Sequence, residues 1–127
     1  MAEIPALGRI TTLAQLDKLL VPTGGFVWLF KHSLTCGVSA AAWREFQRFA
    51  AHRPDSDAIA VVEIQTAREV SREVAVRTGV RHESPQVLLL RGGVPLWHAS
   101  HRKISEGALE DAAAAHDLLV AAQAPGR

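Results

Sequence analysis

Cys36 is the only cysteine in this 127-residue chain, and its position suits redox or nucleophilic chemistry. An apolar segment typical of a buried strand precedes it, and a segment typical of an amphipathic helix follows it. A cysteine at such a junction lies at a helix N-terminus, where backbone N–H groups and the helix dipole favour the thiolate, the species that attacks disulfides. Because one cysteine cannot form an internal disulfide, a redox cycle must take its second sulfur from a small thiol or another protein.

Polar side chains near Cys36 in the sequence could stabilise its thiolate. Ser39 follows one helical turn later, where a C-x-x-C motif has its second cysteine, and a hydroxyl there can donate a hydrogen bond but cannot resolve a disulfide. Lys31 and His32 could add positive charge near the sulfur, and Thr35 immediately precedes it. The plainer interpretation makes Ser39 a first-turn helix residue bonded to local backbone, and Lys31 and His32 solvated loop residues.

Hydrophobic periodicity and turn residues predict eight elements in the order α-β-α-β-α-β-β-α. We expect turns at residues 22–25 and at Gly92–Gly93, a left-handed helix terminator at Gly79, a helix cap at Ser105 and an edge strand around Pro95. The predicted helices cover residues 11–20, 37–51, 66–78 and 105–122, and the predicted strands cover residues 26–31, 58–64, 86–91 and 94–99.

The order of these elements predicts an α/β, thioredoxin-like fold. The helix between the first two strands makes them parallel, and the hairpin makes the last two antiparallel, which gives a central mixed four-stranded sheet flanked by helices. We expect a single domain over residues 1–127, with a disordered tail at about residues 124–127. Ser84 and Pro85 precede the third strand, where this fold has a cis-proline facing the active cysteine. The prediction of a cis bond rests on the fold, because only about 5–6% of X-Pro bonds are cis.

Composition excludes several classes of function. A hydrophobic content of 48% fits a globular protein, and a formal net charge of +1 implies no nucleic-acid partner. No apolar run approaches the roughly 20 residues of a membrane span, and no signal-peptide pattern is present, so we expect no membrane partner. A lone cysteine fits the reducing cytoplasm. His98 and His101 have no matching ligands elsewhere, so we expect no metal site.

The segment around Cys36 resembles the YtxJ family, the monothiol bacilliredoxins. The family signature runs close to Phe-Lys-His-Ser-x-x-Cys-Pro-x-Ser, and this chain has Phe30-Lys31-His32-Ser33-Leu34-Thr35-Cys36-Gly37-Val38-Ser39. The similarity continues loosely through residues 44–46, the second strand and residues 82–86, and it covers the domain in element order and length. Gly37 stands where the family usually has proline.

The resemblance implies a cytoplasmic thiol-disulfide oxidoreductase that works on bacillithiol mixed disulfides. Cys36 would attack the mixed disulfide on a client protein, take up the bacillithiol and be regenerated by free bacillithiol. It also implies that bacillithiol is a co-substrate, that S-bacillithiolated proteins are partners and that no cofactor is bound. Oxidation could in addition form an intermolecular Cys36 disulfide dimer.

Bacillithiol carries a malate with two carboxylates, so its site should offer cations or helix N–H groups. Lys31, His32, Arg81 and His82 are the nearest candidates in the sequence. The last two lead into Ser84 and Pro85, which complete the predicted substrate-binding segment because the fold brings Pro85 beside the cysteine.

Three other functions compete with this one. Cys-Gly-x-Ser is also the pattern of monothiol glutaredoxins, so the chain could bind an iron–sulfur cluster or act with another small thiol. It lacks, however, the Trp-Pro before the cysteine and the Thr-Val-Pro before the third strand that are usual in those proteins. A cysteine hydrolase with a Cys-His-Asn triad is excluded because the chain contains no asparagine. Finally, Cys36 could be an inert, small buried residue in a thioredoxin-like scaffold.

Overall fold

The computed structural model describes residues 7–21 and 25–123. Most of the predicted turn at 22–25 and the predicted tail at 124–127 lie outside these ranges. The described elements are β1 (Leu7–Arg9), α1 (Leu13–Leu19), β2 (Phe26–His32), α2 (Gly37–Ala50), β3 (Ala58–Glu63), α3 (Arg68–Thr78), β4 (Gln86–Arg91), β5 (Val94–Ser100), a 3₁₀ turn called here the basic turn (His101–Lys103) and α4 (Glu106–Gln123).

The strands form one mixed sheet in the order β1-β3-β2-β4-β5. Strands β1 and β2 are parallel to β3, while β4 is antiparallel to both β2 and β5. The predicted mixed sheet is confirmed, but the number of strands is corrected from four to five. The additional strand, β1, has only three residues and pairs with residues 59–61 of β3. A segment this short shows no alternation of apolar and polar residues, so its pairing with a distant strand leaves no local pattern in the sequence.

Two apolar layers cover the sheet. Trp28 and Phe30 of β2 pack with Phe46 and Phe49 of α2 and with residues of α4. Val27 and Leu29 point to the other layer, beneath α1 and α3. Because successive side chains of a strand alternate between faces, the last two residues of β2 also lie on opposite sides of the sheet.

Several local predictions are confirmed. Gly79 ends α3 with φ of 72°, in the left-handed region that favours glycine. Ser105 caps α4, since its Oγ accepts the N–H of Ala108 at 3.1 Å. Pro95 lies in β5, which is an edge strand. None of the helices in the described part of the chain has the length and apolar character needed to cross a membrane.

Candidate functional site

Cys36 is the N-cap residue of α2 and is half-buried. Its extended backbone (φ −111°, ψ 125°) connects the turn after β2 to the helix, and its carbonyl accepts the N–H of Ala40 at 3.0 Å. The thiol makes no capping hydrogen bond. The sulfur therefore lies at the end of α2 where N–H groups have no intrahelical partner, the position predicted for a reactive cysteine.

The short loop before Cys36 is held from both sides by polar side chains. The Oγ of Ser39 accepts the N–H of Ser33 at 2.9 Å. Gln65, just after β3, accepts the N–H of Leu34 at 3.0 Å and donates its Nε2–H to the Ser33 hydroxyl at 2.9 Å. A longer Nε2 contact of 3.3 Å reaches the hydroxyl of Thr35. The loop is therefore fixed to both α2 and the end of β3, which positions the cysteine.

Ser39 and His32 form one contact on the α2 side of the sheet. Ser39 is fully buried, and its Oγ lies 2.8 Å from Nδ1 of His32. The imidazole of His32 stacks on Trp43 with ring centroids 5.3 Å apart. Burial lowers the pKa of His32, against the opposing charge of Glu63. The Ser39 hydroxyl is thus bonded to the loop that carries Cys36, and a direct hydrogen bond from Ser39 to the thiolate stays a prediction.

Lys31 and His82 meet on the opposite side of the sheet, near α3. Lys31 is fully buried, and its Nζ lies 3.1 Å from Nδ1 of His82. Ser71 of α3 contacts the same nitrogen at 3.3 Å. Burial lowers the pKa of Lys31 from 10.5 to about 8. Burial and the charge of Lys31 together lower the pKa of His82, against the opposing charge of Glu83. The structure therefore joins two predicted site residues to each other, and the predicted effect of Lys31 on the thiolate stays a prediction.

The segment before β4 contains a cis peptide bond between Ser84 and Pro85, as predicted. The carbonyl of Pro85 accepts the N–H of His101 at 3.0 Å, and Nε2 of His101 lies 2.8 Å from a carboxylate oxygen of Glu83. Arg81 has an exposed side chain. This segment is therefore attached to the basic turn at the end of β5.

A cavity of about 660 Å³ opens beside Cys36, between the first turns of α2 and the basic turn; we call it the cysteine groove. Gly37, Arg44, Glu45, His101 and Arg102 are among the residues that line it. A Cβ placed on Gly37 would meet no heavy atom within 4 Å. The reactive sulfur thus opens onto a space large enough for a small thiol, and two arginines lie in its wall.

The sequence does not predict a role in this site for four residues: Arg44, Gln65, His101 and Arg102. For His101 the unpredicted feature is its hydrogen bond to the Pro85 carbonyl. A signal for Gln65 was present, because it directly follows a strand parallel to β2 and the carboxyl ends of parallel strands meet at one edge of the sheet. A signal for the basic turn was the run of three basic residues after β5. Arg44 lies in the stretch at residues 44–46 that resembles the family, but its spacing is that of an ordinary solvent-facing helix residue and does not indicate a role in the site.

Metal-ligating side chains do not converge within residues 7–21 and 25–123: no group of three or more His, Cys, Asp or Glu residues could hold an ion. Cys36 contributes a single thiolate. An iron–sulfur cluster at this site would need thiolates from a second chain or from small thiols.

Comparison with known proteins identifies both the fold and the family. A family model described as monothiol bacilliredoxin BrxC matches residues 8–109, a range that includes every predicted site residue. A solved structure described as a proposed oxidoreductase with a thioredoxin fold is 28% identical, over 85% of this chain and 94% of that chain, with a TM-score of 0.76.

Two thioredoxins share the fold at low identity. The Malassezia sympodialis protein is 16% identical, over 87% of this chain and 90% of that chain, with a TM-score of 0.70. The Trypanosoma brucei brucei protein is 16% identical, over 93% of this chain and 95% of that chain, with a TM-score of 0.68. The predicted thioredoxin-like fold and the predicted family are both confirmed. The chain belongs to the family of the monothiol bacilliredoxin BrxC and is a thiol oxidoreductase with the thioredoxin fold.

Proposed function

We propose that the protein removes bacillithiol from mixed disulfides on client proteins, with Cys36 as the nucleophile. The observation that carries this proposal is the position of the chain's only cysteine, half-buried at the N-terminus of α2 and open to the cysteine groove. Membership of the monothiol bacilliredoxin family supports bacillithiol as the small thiol. The proposed place of action is the cytoplasm, where reducing conditions keep a lone cysteine free.

In the first step the Cys36 thiolate attacks the bacillithiol sulfur of the mixed disulfide. The bond between that sulfur and the client cysteine breaks, a new disulfide forms between Cys36 and bacillithiol, and the client leaves as a thiolate. The step exchanges one disulfide for another, so no external oxidant or reductant is required. The free N–H groups of the first turn of α2 favour the attacking thiolate.

In the second step, a molecule of free bacillithiol attacks the bacillithiol sulfur of the disulfide with Cys36. This attack releases the Cys36 thiolate. The products are bacillithiol disulfide and one proton, lost by the incoming thiol. This step must be intermolecular, because Ser39 occupies the position of a resolving cysteine and a hydroxyl forms no disulfide. A separate reductant then returns bacillithiol disulfide to the thiol.

In this scheme, residues around Cys36 hold its sulfur in position. Ser39 and Gln65 hold the loop before the cysteine, so the sulfur meets the incoming disulfide in a fixed orientation. Such preorganisation speeds an exchange reaction because less orientational freedom is lost when the sulfurs align. The Pro85 carbonyl is bonded to His101, which lines the groove, and Pro85 with Ser84 is the proposed contact for the client backbone.

A second candidate is a glutaredoxin-like role, with an iron–sulfur cluster or with a different small thiol. The observation that favours it is Gly37, which replaces the family proline and leaves open space around its Cα. Anaerobic purification with glutathione distinguishes the two candidates, because a bound cluster gives a brown protein with visible absorbance.

The decisive experiment mixes the protein with a test protein carrying bacillithiol on one cysteine, followed by mass spectrometry of both. We expect the bacillithiol adduct on Cys36 and the free thiol on the test protein. Cys36→Ser is the matched control, since it keeps the size of the side chain and removes the nucleophile, and it should leave the test protein modified.

A glutathionylated copy of the same test protein completes the design. Transfer from the bacillithiolated protein alone supports the proposal. Transfer from the glutathionylated protein alone would overturn the choice of bacillithiol and favour the second candidate. Transfer from neither would overturn both carrier functions.

A further inference from the structure

Two arginines converge on the cysteine groove from different elements. Arg44 belongs to α2, two turns after Cys36, and Arg102 belongs to the basic turn. In the part of the chain that the structure describes, neither guanidinium forms an ion pair. Both side chains are exposed and thus available to an incoming anion.

The acidic residue in the wall of the groove, Glu45, does not neutralise these arginines. One oxygen of its carboxylate accepts the N–H of Glu106 at 2.7 Å, at the start of α4. The other oxygen is paired with Arg48. Because both oxygens are engaged, the groove keeps an excess of positive charge next to the sulfur.

The basic turn is held in place relative to the cis-Pro segment. His101 donates its N–H to the Pro85 carbonyl and contacts Glu83 through Nε2. His101 also has φ of 55°, a left-handed conformation that is uncommon outside glycine and persists when the surroundings fix it. The backbone that carries Arg102 is therefore anchored beside the site.

We infer that Arg44 and Arg102 form a carboxylate subsite in the cysteine groove that binds the dicarboxylate end of the small thiol and directs its sulfur toward Cys36. This inference rests on the proposed function for the identity of the thiol. Guanidinium groups suit the task because they bind carboxylates through paired N–H donors. The malate of bacillithiol offers two carboxylates for two arginines.

The subsite determines which sulfur Cys36 attacks. When the carboxylates lie in the groove, the bacillithiol sulfur is next to Cys36 and the client sulfur is the leaving group. The new bond then joins Cys36 to bacillithiol, and the client departs as a thiolate. Attack on the other sulfur would release bacillithiol and leave the client covalently attached to Cys36, so the two outcomes differ in mass.

The sequence favoured other cations for this role, and the structure gives them different surroundings. Lys31 and His82 contact each other near α3, and Arg81 is not among the residues that line the groove. An Arg81→Gln variant therefore provides a direct comparison with the groove arginines.

The test uses the double variant Arg44→Gln/Arg102→Gln and two disulfide reagents. Dithiobis(nitrobenzoate) carries two carboxylates, and dithiodipyridine is neutral at neutral pH. We expect the double variant to react about tenfold more slowly with the charged reagent, the effect of two weak charge contacts, and within about twofold of the unmodified protein with the neutral one. High salt should remove most of the difference. Arg68→Gln/Arg72→Gln, which removes the same two positive charges from exposed positions on α3, is the matched control and should change neither rate.

Three outcomes would overturn the subsite: equal slowing with both reagents, no slowing with the charged reagent, or an effect of Arg81→Gln or of the α3 control as large as that of Arg44→Gln/Arg102→Gln. With a bacillithiolated client, the double variant should also shift the product from the bacillithiol adduct toward trapped client. Failure of the unmodified protein to accept bacillithiol, with the reagent difference intact, would overturn the proposed function and leave an anion subsite for another thiol.

Discussion

The polar side chains at the two ends of the parallel strands β2 and β3 differ in how completely they are hydrogen-bonded and ion-paired. At the end remote from the cysteine, Asp57 accepts Nε1–H of Trp28 at 3.0 Å and Nε–H of Arg53 at 2.7 Å. Arg53 also binds both carboxylate oxygens of Asp117 at 3.2 Å, and its guanidinium lies over the ring of Trp28. We call these four residues the paired cluster, because every charge in it has an opposite partner.

At the end that carries Cys36, charge is left unbalanced. The buried Nζ of Lys31 is bonded to an imidazole instead of a carboxylate. Ser84 has a buried Oγ with no partner among the described residues. Arg44 and Arg102 face the cysteine groove without ion pairs in the described ranges. The buried polar groups at this end are therefore less completely paired than those of the paired cluster.

The difference between the two ends concerns how completely buried polar groups are paired, and it coincides with the position of the functional site. Native proteins satisfy buried polar groups almost everywhere, and exceptions are expected at functional sites. The paired cluster follows the rule and joins the end of α2, the start of β3 and α4. The cysteine end departs from the rule at the buried Ser84 hydroxyl, and the exposed Arg44 and Arg102 leave positive charge in the groove beside Cys36.

The strongest test of this comparison is Asp57→Ala. It leaves the guanidinium of Arg53 largely buried with one partner fewer and leaves Nε1–H of Trp28 without an acceptor, so we expect a loss of about 3 kcal/mol or more in the free energy of unfolding. Urea unfolding measures the loss. Asp57→Asn should lose less, because its amide oxygen can still accept the Trp28 N–H. Both folded variants should keep the Cys36 alkylation rate of the unmodified protein, and a marked fall in that rate would show that the two ends are coupled.

The second test concerns how Lys31 makes the free energy of unfolding depend on pH. Its pKa is about 8 in the folded protein, below its ordinary value of 10.5. Between these values the unfolded chain binds the additional proton, so stability rises with pH across that window, by about 3 kcal/mol at most. Below about pH 8 both states are protonated and the cost of burying the charge is present in full.

Lys31→Met should therefore be more stable than the unmodified protein at neutral pH, and the difference should disappear as the pH approaches 10.5. Urea unfolding of both proteins across this range gives the difference, and Lys103→Met, an exposed lysine, is the control. A difference that does not depend on pH would contradict the inferred titration. Slower alkylation of Cys36 in Lys31→Met by a neutral reagent would support the predicted effect of Lys31 on the thiolate.

How far the sequence predicted this molecule depends on the range of the interactions. The apolar run at residues 26–31, the amphipathic helix after Cys36 and the Gly92–Gly93 hairpin are local patterns, and each was predicted within two residues. The position of Cys36 at the start of α2 follows directly from them. Strand β1 was missed because its only signal is pairing with β3, about fifty residues away in the chain.

The surroundings of the site were less predictable for the same reason. Lys31 and His82 are 51 positions apart, and Leu34 and Gln65 are 31 apart, so their contacts exist only once the sheet has formed. The alternation of β2 does show that Lys31 and His32 face opposite layers. Applied to the end of the strand, this alternation places the two side chains on opposite faces of the sheet, where they contact His82 and Ser39 respectively.

The smallest expected effect on stability belongs to Gln65→Ala at the cysteine end. Gln65 is half-buried and holds the loop before Cys36 through Leu34 N–H and the Ser33 hydroxyl. Water can replace the side chain at this partly exposed position, so the loss should be about 1 kcal/mol, well below that of Asp57→Ala. The freed loop samples more orientations, so disulfide exchange at Cys36 should slow by about threefold to tenfold.

Urea unfolding and exchange with a neutral disulfide measure the two effects on the same preparation. Gln47→Ala in α2 is the matched control, because it removes the same side chain from another half-buried position, outside the loop before Cys36, and it should leave the exchange rate unchanged. A loss of stability as large as that of Asp57→Ala would contradict the distinction between the two ends, since the cysteine end would then be structural as well. A small loss of stability with a clear loss of rate would show that hydrogen bonds at this end act mainly on the position of the sulfur.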